Sequence, residues 1–135
     1  MFISNFNYGQ DIKSSIKTIT LTRESVSAGD DVNAPHKMKI EIKTDWKINE
    51  IIEHIVELGY LPKIIGNATW SIAINKPIAV ISQHDNYLPK LICLPDYPHQ
   101  ETRGFVDIKN IHINYHGQVD SNMVFEVLHR FRMNP

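Results

Sequence analysis

Between Lys37 and Lys43 the chain alternates without a break. Met38, Ile40 and Ile42 are apolar, and Lys37, Lys39, Glu41 and Lys43 are charged. A period of two is the period of a β-strand, whose successive side chains leave opposite faces of a sheet. One charged and one apolar face predict a strand with one side in water and the other on a core. A second run, from about Ser15 to Arg23, sets Ile19 and Leu21 against Thr18, Thr20 and Thr22. Its β-branched residues suit a pleated, half-buried surface.

The same reading places four more strands. Thr69 to Asn75 alternates Trp70, Ile72 and Ile74 with Thr69, Ser71 and Ala73. Asn75-Lys76-Pro77 turns the chain into Ile78–Ser82, apolar enough for a central strand. Leu91–Leu94 is a short strand, and Phe105–Tyr115 a longer one. The latter changes phase near Lys109-Asn110, which predicts a bulge. Two stretches carry helical spacing instead. Ile48, Ile51, Ile52, Ile55, Val56 and Leu58 form one stripe, with Asp45 as the expected N-cap and Gly59 as the expected C′ residue. Val124, Val127, Leu128 and Phe131 form the other, expected to face the core of a helix from Ser121 to Met133 capped by Asp120 or Ser121.

The order is therefore β-β-α-β-β-β-β-α. Short connections favour antiparallel neighbours. The expected fold class is α+β: a mostly antiparallel sheet of about six strands with two helices packed on it, both on one face in two layers. The 135 residues make a single domain, 1–135. A domain of that size buries roughly two-thirds of the surface its unfolded chain exposes.

Charge narrows the function classes. Fourteen Lys and Arg against fifteen Asp and Glu leave a net charge of −1. A nucleic-acid binder would show a basic surplus, so none is expected as a partner. No apolar run is long enough for a membrane span, and the N-terminus lacks the pattern of a signal peptide. With one cysteine, Cys93, no intramolecular disulfide can form, which fits a reducing compartment. A cytoplasmic location is the expectation. Cys93 lies in the apolar run Leu91-Ile92-Cys93-Leu94 and reads as a small buried hydrophobe, since a nucleophilic thiol needs an electropositive, partly open setting.

Seven histidines raise the question of a metal. The closest spacing is His112-x-x-x-His116. On a strand, four residues at about 3.3 Å each separate these rings by roughly 13 Å, too far for one ion. His36, His54, His84, His99 and His129 are scattered. No metal and no cofactor is expected. Acid–base chemistry has weak anchors only: His84-Asp85 at a strand end, and His112 and His116 beside Asn114 on a polar face. No residue is assigned a catalytic role.

The clearest charge pattern is acidic. Glu50, Glu53 and Glu57 fall at i, i+3 and i+7 on the first helix, and Asp30 and Asp31 sit in the loop before it. A row of carboxylates on a helix can meet a basic partner and speed the encounter. These five residues are the candidate partner-binding set.

Two stretches resemble a known kind of protein. One is Thr18-Ile19-Thr20-Leu21-Thr22-Arg23-Glu24-Ser25-Val26 with Gly29-Asp30-Asp31-Val32-Asn33-Ala34-Pro35-His36. The other is Gly59-Tyr60-Leu61-Pro62, with Ala68-Thr69-Trp70 and Pro77-Ile78-Ala79-Val80-Ile81. Over residues 17–83 the chain resembles bacterial immunity proteins of contact-dependent growth inhibition and related polymorphic toxin systems. The resemblance implies a protein that binds a cognate toxin C-terminal domain inside the cell and blocks its active site, with no chemistry of its own. Many such toxins are nucleases with basic grooves, which an acidic stripe would answer. Two other classes compete: a small hydrolase or nuclease using histidine–carboxylate chemistry, and a small-ligand-binding α+β domain. A cleft joining His84, His112 or His116 to a carboxylate would favour the enzyme, and a closed apolar cavity the ligand carrier.

Overall fold

The computed structural model describes residues 15–26, 36–92 and 108–133. The strands are β1 (Ile16–Arg23), β2 (Lys37–Lys43), β3 (Thr69–Ile74), β4 (Lys76–Ser82), β5 (Lys90–Leu91) and β6 (Asn110–Tyr115). The helices are α1 (Ile48–Glu57) and α2 (Ser121–Met133). The six strands form one open sheet in the order β2-β1-β6-β3-β4-β5. All neighbours are antiparallel except β1 and β6, which run parallel with Leu21 opposite Ile111 and Arg23 opposite Ile113. The fold is α+β, with a mostly antiparallel sheet and two helices, as the patterning predicts.

Register determines what each face carries. Ile19 pairs with Ile40, Leu21 with Ile111, Ile72 with Ile113, and Trp70 with Ile81. These side chains share one face and are all buried. The buried Ile48, Ile51, Ile52 and Ile55 of α1 join them in the core. Arg23 belongs to the same face, and its guanidinium lies 5.8 Å from the ring centre of Tyr60, just past the end of α1.

The expectation that both helices lie on one face is corrected by the structure. Thr69, Ser71, Val80 and Ser82 point to the opposite face from Trp70 and Ile81, and α2 packs there, against β4 and β3. The Thr69 hydroxyl donates to the carbonyl of Val119, just before α2, at 2.7 Å. The cause is legible in β4: Ile78, Ala79, Val80 and Ile81 are all buried, and a strand apolar at every residue needs cover on both sides. The β3–β4 half of the sheet is sandwiched between layers. Over β1, β2 and β6 the second face stays polar, with Thr18, Thr20, Thr22, Lys39 and Glu41 at least partly exposed.

The helix ends are set by local chemistry. The N-cap of α1 is Lys47, not Asp45 as expected: the Lys47 backbone N–H donates to Oε1 of Glu50 at 2.9 Å, so the carboxylate three residues on holds the first turn. Gly59 closes the other end at C′ with φ 72°, a backbone region costly for a residue with a Cβ. At α2, Asp120 caps as expected, its Oδ2 accepting the N–H groups of Asn122 at 3.0 Å and Met123 at 3.2 Å. The strand begins at Asn110, at the site of the predicted bulge, and residues 105–107 of the expected longer strand lie outside the described residues. A register irregularity lies between Ile72 and Ala73 in β3.

Candidate partner-binding surfaces

The acidic helix is placed as the sequence predicts. Glu50, Glu53 and Glu57 are all exposed on α1, while Ile48, Ile51, Ile52 and Ile55 are at most 3% exposed beneath them. Four core isoleucines fix the helix, so the carboxylates stand on a rigid support. Each has a distinct local setting. Glu50 is half committed, since its carboxylate caps the helix. Glu53 lies mid-helix. Glu57 ends the helix, where the dipole disfavours negative charge and favours cations. No ion pair among the described residues compensates Glu53 or Glu57. Asp30 and Asp31, the other two candidates, lie outside the described residues, as do Cys93 and His99.

The histidine candidates are engaged in pairs of their own. His112, in β6, has Nδ1 2.7 Å from Oγ1 of Thr22 on the neighbouring strand. His116, the residue after β6, has Nε2 2.7 Å from Oγ of Ser71. Burial holds the His116 ring below the ordinary imidazole range, partly offset by the charge of Glu24. Ser71 is 1% exposed, mid-strand, and out of reach of a substrate. Glu24 is itself committed: its Oε1 accepts the backbone N–H of Tyr115 at 2.7 Å. Strand register thus pairs His116 with the buried Ser71, while the exposed Glu24 is tied to the backbone of the preceding residue, a structural arrangement.

Asp85 is also structural. Its Oδ2 accepts from Lys90 Nζ at 2.8 Å, Ser121 Oγ at 2.8 Å and Ser82 Oγ at 3.0 Å. The bonds from Lys90, Ser121 and Ser82 hold its carboxyl down to about 2. A carboxylate so stabilised carries no proton to exchange near neutrality. His84 beside it is exposed. No group of three or more His, Cys, Asp or Glu among the described residues could hold a metal ion.

A second surface was not foreseen. Val127 and Phe131, expected in the core, are 59% and 69% exposed, and Met123 is 60% exposed. Only Val124 of the expected stripe is buried, with Leu128 and Phe125 partly so. The apolar arc of α2 extends past the side chains that are buried against the sheet. The arc was visible in the sequence, but its rotation over the sheet was not. No helix among the described residues is long and apolar enough to cross a membrane.

Comparison of the chain with family models, curated proteins and solved structures finds no match in any of the three.

Proposed function

We propose that this chain is an immunity protein that binds a cognate bacterial toxin domain and neutralises it by covering its active site. The observation that carries the reading is the acidic face of α1, with Glu53 and Glu57 exposed on a helix anchored by buried isoleucines and without an ion pair among the described residues. The resemblance over residues 17–83 supplies the class of partner. A toxin that cleaves nucleic acid must offer a positive groove to phosphates. Carboxylates spaced along a rigid helix can occupy that groove in place of phosphates. Rigidity matters, because ordering a flexible surface on binding would cost about 0.5–1.5 kcal/mol per side chain immobilised.

In this reading the protein acts by binding, in the cytoplasm, without cofactor, metal, nucleic acid or membrane. The pairings of His112, His116 and Asp85 support binding over histidine–carboxylate chemistry, since each group is held by a neighbour in the fold. Asp30 and Asp31 extend the candidate interface by sequence position.

The test is co-expression with the C-terminal domain of the neighbouring toxin gene, followed by association kinetics at low and high salt. Wild type is expected to protect cells and to bind one to one. Glu53→Lys/Glu57→Lys is expected to slow association at low salt by an order of magnitude or more, with the gap narrowing as salt screens the charges. Unchanged kinetics would remove α1 from the interface, and failure of wild type to bind or protect would overturn the immunity reading.

A further inference from the structure

The uncovered stripe on α2 suits a helix partner by its geometry. Met123, Val127 and Phe131 recur every four residues, which aligns them in one of the ridges by which helices interlock. They are 60%, 59% and 69% exposed and, one helical turn apart, make a continuous apolar surface. Val119, 43% exposed, adds apolar surface just before the helix. Contiguous exposed apolar patches of this kind mark association surfaces.

The flank of the stripe points to the occupant. Glu126 and Arg130 lie on one edge of it and pair at 2.8 Å across one helical turn, both largely exposed. Consider a second copy laid antiparallel with a two-fold axis at Val127. Each Met123 then meets the partner's Phe131, a flexible thioether against a ring. The same flank of both helices falls on the same side, so the partner's Arg130 comes within about one turn of Glu126. One acid and one base on each copy make this edge complementary to itself. A flank of like charges would repel its own copy.

We propose that α2 is a self-association surface, through which two copies pair antiparallel along Met123, Val127 and Phe131. The stripe is smaller than the roughly 800 Å² per partner of a standard interface, so the pairing is weak and concentration-dependent. It leaves the proposed toxin-facing helix free, because α1 lies on the opposite face of the sheet. The inference does not rest on the immunity reading.

Sedimentation equilibrium of the full chain tests it, from about 10 µM to about 1 mM, a range that spans weak association. Wild-type mass is expected to rise from 15.6 kDa toward twice that value. Val127→Glu is expected to stay monomeric with an unchanged melting temperature. Glu126→Arg alone clusters four cations at the dimer edge and is expected to weaken pairing at least tenfold. Glu126→Arg/Arg130→Glu restores one charge of each sign and is expected to recover it. A wild type monomeric throughout overturns the proposal. So does a dimer indifferent to Val127→Glu, or a double exchange as weak as the single change. Loss of toxin binding by Val127→Glu in a chain that is always monomeric would assign the stripe to the toxin instead, which also overturns it.

Discussion

The Ser121 hydroxyl donates to Oδ2 of Asp85 at 2.8 Å, tying the first residue of α2 to the turn after β4. Ser82 and Lys90 donate to the same oxygen, so one carboxylate joins a strand end, a short edge strand and a helix start. Together with the Thr69–Val119 bond, this contact fixes the N-terminal end of α2 on the sheet.

Stability should therefore depend on the ionisation of Asp85. Its folded-state value, about 2, lies below the ordinary 3.8, so the unfolded chain takes up the proton first. The contribution is complete above about pH 4 and is lost as pH falls through 4 toward 2. Asp85→Asn is expected to melt lower than wild type at pH 7. The gap in melting temperature between the two should shrink steadily from pH 4 to pH 2. A gap independent of pH would show that the charge of Asp85 does not matter to the fold.

His116 predicts a dependence in a different range. Burial holds its folded-state value below the ordinary 6.5. The unfolded chain again binds the proton first, so this contribution is present above about pH 6.5 and weakens as pH falls below it. The ring resonance of His116 should titrate below 6.5 in NMR. Glu24→Gln should move its midpoint lower still, because the Glu24 charge is what raises it. A midpoint at or above 6.5 would contradict the burial assignment.

How much of this was readable in the residues differs by element. β2 was explicit, because its charged and apolar faces strictly alternate. The second layer of helix was written in Ile78–Ile81, where the absence of alternation means burial on both faces. It was hidden by the assumption that sequential helices share a side. The parallel pairing of β1 with β6 joins residues about ninety positions apart, such as Thr22 and His112, and no local pattern encodes it. The rotation of α2 was equally hidden, because helical spacing shows that Val124, Val127, Leu128 and Phe131 are neighbours but not which of them the sheet reaches. The exposure of Glu50, Glu53 and Glu57 followed directly from their phase against the isoleucines. The capping role of Glu50 did not, because Asp45 was the better cap by residue type.

That rotation is testable by contrast within one helix. Val124 is 7% exposed and Val127 is 59% exposed. Val124→Ala removes buried methyl groups above β4 and should lower stability by about 1–2 kcal/mol. Val127→Ser should fall within about 0.5 kcal/mol of wild type. Equal costs in dilute urea denaturation would restore the arrangement in which both face the core.

Two glycines separate backbone strain from crowding. Gly59 has φ 72° and open space where a Cβ would be, so Gly59→Ala should cost only the left-handed backbone, about 1–2 kcal/mol. Gly66 has φ 102°, and its Cβ would run into the side chain of Gln118, which accepts the N–H of Asn67. Gly66→Ala should cost more than Gly59→Ala. Adding Gln118→Ala should recover the crowding part of the loss and none of the strain. Additive losses in the double variant would show that Gln118 is not what Gly66 avoids.

The three glutamates of α1 should not behave alike when reversed. Glu50 accepts the Lys47 N–H and sits in the first turn, where negative charge is favourable, so Glu50→Lys removes both a cap and a dipole contact. It is expected to cost about 1 kcal/mol, within the usual range for losing a cap. Glu53→Lys, exposed in mid-helix, should be neutral within about 0.5 kcal/mol. Glu57→Lys places a cation at the C-terminal end and should stabilise by about 0.3–1 kcal/mol at low salt, an effect that fades as ionic strength rises. Thermal melts of the three single variants at low and high salt check the order. If all three are neutral, neither the cap nor the dipole matters at these positions. If the order holds, Glu53→Lys/Glu57→Lys reports on partner binding at full fold stability, whereas any reversal that includes Glu50 mixes lost binding with a loosened helix.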